Sequence, residues 1–124
     1  MQKTEWRGPE CPPLYTVKRS NGIRQLTIYI DAHEEEQPLE SEVSEKQWVA
    51  TAIMLPVGTL DYGSIVSALI NAKYSNDQMQ AVVNNHLLED GDPSHEASFN
   101  AMQDWRKESK RLAKQITNEL FPEQ

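Results

Sequence analysis

The apolar residues of this chain keep two periods in succession. Between Tyr15 and Leu55 they mostly alternate, and from Ile65 to Leu120 they recur every three or four residues. A period of two belongs to strands, whose side chains point to opposite faces, and a period near 3.6 belongs to helices. A strand pattern that finishes before the helical one begins specifies an α+β architecture rather than alternating α/β units.

The strand half is organised by Asn21-Gly22. This dipeptide tolerates the two positive φ values of a type I′ turn, so the runs 14–20 and 23–31 form a β-hairpin. A two-residue loop pairs Val17 with Leu26 and Tyr15 with Ile28. Tyr15, Val17, Leu26, Ile28 and Ile30 therefore share the core face, and Thr16, Lys18, Gln25 and Thr27 take the wet one. Residues 32–46 carry Glu34, Glu35, Glu36, Glu40, Glu42 and Glu45 around Pro38, a self-repelling run expected as a mobile acidic loop. His33 beside three of those glutamates is expected to be solvated, because metal ligands need convergent geometry. Residues 47–55 resume strand character. Ile53 and Leu55 meet the core layer, and Pro56, Val57 and Gly58 end the strand. Residues 1–13, broken by Gly8, Pro9, Pro12 and Pro13, form an extended lead with Trp6 as its anchor.

The helical half, residues 59–121, opens with a stripe of Ile65, Val66, Leu69 and Ile70, which Tyr74 extends. Ser75 with Gln78 three residues on has the spacing of a capping box, so a second helix begins there, carrying Met79, Val82, Val83 and Leu87 inward. After the turn at 89–93, Asp92 caps a long helix with Pro93 at its first position. Phe99, Met102, Trp105, Leu112, Ala113, Ile116 and Leu120 form its inner face, long enough to clamp both shorter helices. Asp90, Asp92 and Glu96 do not make a calcium loop, because the fifth, sixth and twelfth positions are Ser94, His95 and Ala101.

Charge is distributed unevenly. The net charge of -7 works against general binding to nucleic acid or anionic membrane. All five cations after residue 93, Arg106, Lys107, Lys110, Arg111 and Lys114, cluster on the outer side of the last helix. They are the candidate partner contact. A single cysteine, Cys11, allows no internal disulfide and suits a reducing cytoplasm. The lead has no apolar core of a secretory signal, and no run reaches the ~20 apolar residues of a membrane span. No nucleophile, metal or phosphate signature is visible, so neither an enzyme nor a cofactor is expected.

The residues Ser64-Ile65-Val66-Ser67-Ala68-Leu69-Ile70-Asn71-Ala72-Lys73-Tyr74-Ser75-Asn76-Asp77, then 81–85 and 105–110, carry a resemblance. The pattern ALI-x-AKYS-x-D followed by a charged helix resembles small uncharacterised prophage and mobile-element proteins of gut anaerobic bacteria. It covers roughly residues 61–114 of this chain. It implies a genomic setting, with a cytoplasmic or virion-associated location, and no activity or functional residue. Lys73, Tyr74 and Ser75 are its distinctive part. Physically they form a structural junction where Tyr74 packs between two helices and Ser75 caps the second.

The expectation is thus one domain over residues 1–124: a three-stranded antiparallel sheet, made of the hairpin and a third strand, covered on one face by three C-terminal helices. The expected role is that of a non-enzymatic binding or structural accessory protein acting through protein–protein contacts. A nucleic-acid-associated regulator using the basic face of the last helix is the alternative.

Overall fold

The computed structural model describes residues 2–20, 22–38, 44–56 and 60–120. The chain divides into two compact units, Met1–Leu60 and Asp61–Gln124, and the boundary falls where the apolar period changes.

The first unit is an antiparallel sheet of four strands, not three: β1 (Gln2–Gly8), β2 (Tyr15–Ser20), β3 (Ile23–Pro38) and β4 (Ser44–Pro56), in the order β1-β4-β3-β2. The additional strand is β1, drawn from the expected lead. It is polar and carries no alternation, so its own residues do not announce a strand. Pairing with the free edge of β4 makes it one, from Gln2 opposite Met54 to Gly8 opposite Trp48.

The hairpin register is the expected one, with Val17 opposite Leu26 and Tyr15 opposite Ile28. Gly22 takes φ +78 as the turn requires, and Asn21 lies outside the described residues. Leu26, Ile28, Ile30, Ile53 and Leu55 are buried on one face. Tyr15 and Val17 share that face but are only half-buried, because β2 is an edge strand with a neighbour on one side alone.

The acidic loop expected over 32–46 is corrected for most of its length: residues 32–38 continue β3, and residues 44–46 open β4. Residues 39–43, with Glu40 and Glu42, lie outside the described residues. Ladder pairing is a backbone property and needs no apolar side chains. The register sets Glu34 opposite Trp48 and Glu36 opposite Lys46, so part of the acidic charge faces an aromatic and a cation rather than another carboxylate.

A β-bulge hides this continuation from a simple alternation count. Ile30 pairs with Thr51 and His33 with Val49, so β3 spends one extra residue there, and Asp31 adopts φ +57. Beyond the bulge the parity flips. His33 and Glu35 join the face that Leu26, Ile28 and Ile30 occupy before it.

The opposite face is covered by its own aromatics. Ala50 and Ala52, buried on the central β4, are small enough for Trp6 of β1 and Tyr29 of β3 to close over them from either side. The two rings meet edge-on with centroids 5.5 Å apart, and the Tyr29 hydroxyl lies 3.2 Å from Thr16 Oγ1. The Trp6 anchor also explains Gly8: a Cβ there would sit 2.6 Å from the indole carbons.

The second unit contains α1 (Tyr62–Lys73), α2 (Asn76–Leu87) and α3 (Pro93–Leu120). Asp61 caps α1 by accepting from the Ser64 N–H at 2.7 Å. α1 and α2 each pack on α3 rather than on one another. Leu69 meets Trp105 and His86 meets Phe99, so the chain descends α3 as it proceeds. The unit is therefore a helical hairpin whose first arm is broken at Tyr74 and Ser75.

The inner faces are Ile65, Ala68, Leu69 and Ala72 on α1 and Met102, Ser109, Leu112, Ala113 and Ile116 on α3. α2 buries no residue completely. Leu87, expected in its stripe, is 68% exposed because it stands at the helix end, past the stacked His86 and Phe99. No helix is long and apolar enough to cross a membrane.

Candidate functional site

The five cations of α3 follow from its inner stripe. With Met102, Ser109, Ala113 and Ile116 turned inward, Lys107, Lys110, Arg111 and Lys114 must project outward, and all four are exposed. Arg106 stands at the border and is half-buried. Arg106, Lys110 and Lys114 succeed one another at one-turn spacing over about 12 Å, with Lys107 beside them. Arg111 is engaged: its guanidinium forks onto the Glu108 carboxylate, with Nε 3.0 Å from Oε2. That fork holds the Glu108 carboxyl below its ordinary range. Arg106, Lys107, Lys110 and Lys114 have no ion pair among the described residues.

The junction residues converge on the same place. Ser75 Oγ accepts from Gln78 N–H at 3.1 Å and Gln78 Oε1 accepts from Ser75 N–H at 2.8 Å, the capping box its spacing predicts. Tyr74 is the extended C-cap of α1, donating its N–H to Ile70 O at 3.0 Å, and is half-buried rather than enclosed between helices. Lys73 Nζ lies 3.9 Å from the centroid of the Trp105 ring, whose Nε1–H donates to Leu69 O at 2.9 Å. The next residue along α3 is Arg106, which lines a cleft of about 130 Å³ with Ser67, Ile70, Asn71, Asn76 and Met79. Thus the basic face and the junction, separate features of the sequence, adjoin at Trp105 and Arg106.

A second cluster escaped sequence reading. His33 Nδ1 lies 2.9 Å from Asp31 O, so that nitrogen carries the proton, and its Nε2 lies 3.0 Å from Glu35 Oε1. Arg7 reaches Glu5 at 3.2 Å and Glu35 at 3.5 Å. The carbonyl of Asp31 and the Glu35 carboxylate raise the His33 pKa, and His33, followed by Arg7, lowers that of Glu35. Glu5, Asp31, His33 and Glu35 rim a cleft of about 530 Å³ that Val49, Ala50 and Thr51 also line. The bulge brings His33 to this face, and a count of alternating residues contains no sign of it. Arg7, His33 and Glu35 satisfy one another, which makes the cluster a charge network of the sheet.

Among the described residues no group of three or more His, Cys, Asp or Glu side chains is placed to hold a metal ion. Compared with protein-family models, curated proteins and solved structures, the chain matches none of them.

Proposed function

We propose that this chain is a non-enzymatic accessory protein that docks an acidic partner protein along the outer side of α3. One observation carries the reading: Arg106, Lys107, Lys110 and Lys114 form a continuous stripe left without carboxylate partners among the described residues of a strongly acidic chain. A stripe kept free of internal ion pairs retains its field for an incoming anion. The net charge of -7 favours a partner with localised acidity over a long polyanion, whose wider surface would meet repulsion from the rest of the chain. The resemblance of the helical half to prophage and mobile-element proteins supports such a genomic setting, and the single exposed Cys11 suits a reducing cytoplasm.

The test is a pair of titrations of the full chain, one with a fluorescent decaglutamate peptide and one with duplex DNA, each followed by anisotropy at two salt concentrations. The peptide should bind, and Lys107→Glu/Lys110→Glu/Lys114→Glu should weaken it at least about tenfold, since each exposed pair contributes up to about 1 kcal/mol. Tighter binding to DNA, falling steeply with salt and lost in the same variant, would overturn this reading in favour of a nucleic-acid regulator.

A further inference from the structure

We infer that the cleft beside Arg106 is a carboxylate-binding subsite, built to receive one Asp or Glu side chain of an acidic peptide. The inference rests on the docking role of the α3 stripe and adds the place where the partner is anchored. The remaining stripe cations stand exposed and act as hydrated point charges. Arg106 differs from them in being half-buried, with its guanidinium without a hydrogen-bond or ion-pair partner among the described residues. A guanidinium that lines a cleft and has no internal partner keeps its donors available to a ligand, and its planar fork fits a carboxylate with two parallel hydrogen bonds.

The rest of the lining suits that ligand. Ser67, Asn71 and Asn76 supply neutral donors and acceptors, whereas Ile70 and Met79 supply apolar wall for the methylene stem of the incoming side chain. The Asn76 edge is held in position because the adjacent Ser75–Gln78 capping box fixes the start of α2. The opposite side is fixed by the Trp105 indole bonded to Leu69 O, one residue from Arg106. At about 130 Å³ the cleft has room for a carboxylate and its neighbouring methylenes. A doubly charged phosphate would be neutralised only in part by one guanidinium, in a chain already at -7. Asp77, exposed in the first turn of α2, is not part of the lining.

The experiment uses the full 15N-labelled chain and two probes: N-acetylglutamate N-methylamide, which carries one carboxylate, and decaglutamate. The Arg106 Nε–H resonance should shift on titration with the single-carboxylate probe and much less with inorganic phosphate at equal concentration. Asn71→Ala/Asn76→Ala should reduce that shift at least threefold. Arg106→Lys, which keeps the charge but loses the fork, should weaken decaglutamate at least tenfold with an unchanged melting temperature. Should Arg106→Lys bind within twofold of the parent while the triple lysine variant still fails to bind, the subsite falls and the stripe stands. A shift of Arg106 by the single carboxylate without any binding of decaglutamate would keep the subsite and remove the docking role. An Arg106 resonance that neither probe moves, or that phosphate moves equally, overturns the inference.

Discussion

The Trp105 indole N–H donates to the backbone carbonyl of Leu69 at 2.9 Å, tying the middle of α3 to the last turns of α1. That carbonyl belongs to the helix segment just before the break at Tyr74, and Lys73 closes over the indole face from the same segment. Trp105→Phe keeps most of the ring area and loses the donor, so it should cost about 1 kcal/mol. Trp105→Ala, which also opens a partly buried cavity, should cost about 2 kcal/mol or more. Lys73→Met, which removes an exposed cation from the indole face, should cost about 0.5 kcal/mol. Urea unfolding of the three variants checks the order, and a Trp105→Phe protein as stable as the parent would show that the hydrogen bond contributes nothing.

Ser109 is fully buried on the inner face of α3, and its hydroxyl has no hydrogen-bond partner among the described residues. An unsatisfied buried hydroxyl costs more than the contact it makes, and alanine is the better helix former. Ser109→Ala should therefore stabilise the protein by about 1 kcal/mol, read as a higher urea midpoint at constant slope. A loss of stability would show that the hydroxyl is satisfied in solution.

At the junction, Ser75→Ala removes one half of the capping box and should cost about 1 kcal/mol. Tyr74→Ala should cost about as much. Tyr74 is only partly buried, which removes some of the cavity penalty that full enclosure between helices would bring. Melting temperatures of the two variants side by side test this, and a Tyr74→Ala loss several times that of Ser75→Ala would restore the enclosed picture.

The network at the bulge predicts a pH dependence. His33 is raised from 6.5 in the folded protein, so its contribution is complete below that value and is lost as pH rises through the higher folded pKa. Glu35 is lowered from 4.5, so its contribution is complete above that value and is lost as pH falls through the lower folded pKa. The pair stabilises most between the two reference values. His33→Gln should flatten the stability profile on both flanks of that window, measured by urea midpoints across pH. An imidazole titration by NMR centred at or below 6.5 would contradict the geometry.

The sequence by itself determined whatever local periodicity and cap chemistry decide. The Asn21-Gly22 turn set the register that pairs Val17 with Leu26, and the Ser75–Gln78 spacing placed the start of α2. The 3.6-residue stripe carried α3 from Pro93 to Leu120 and thereby put Lys107, Lys110 and Lys114 outside. Each of these is settled within a few neighbouring residues. The rest depended on partners distant in the chain. β1 is a strand because β4 offers it a backbone edge, and the acidic residues 34–36 are strand because 46–48 lie opposite them. Trp6 and Tyr29 meet only because two alanines on β4 leave room between them. The parity flip at Asp31 gathers His33, Glu35 and Arg7, and the packing of a broken helical arm on α3 brings Asn71 and Asn76 to Arg106. Backbone ladders accept almost any side chain, and clefts are assembled from separate elements. Neither leaves a local period in the sequence, so only the tertiary structure decides them.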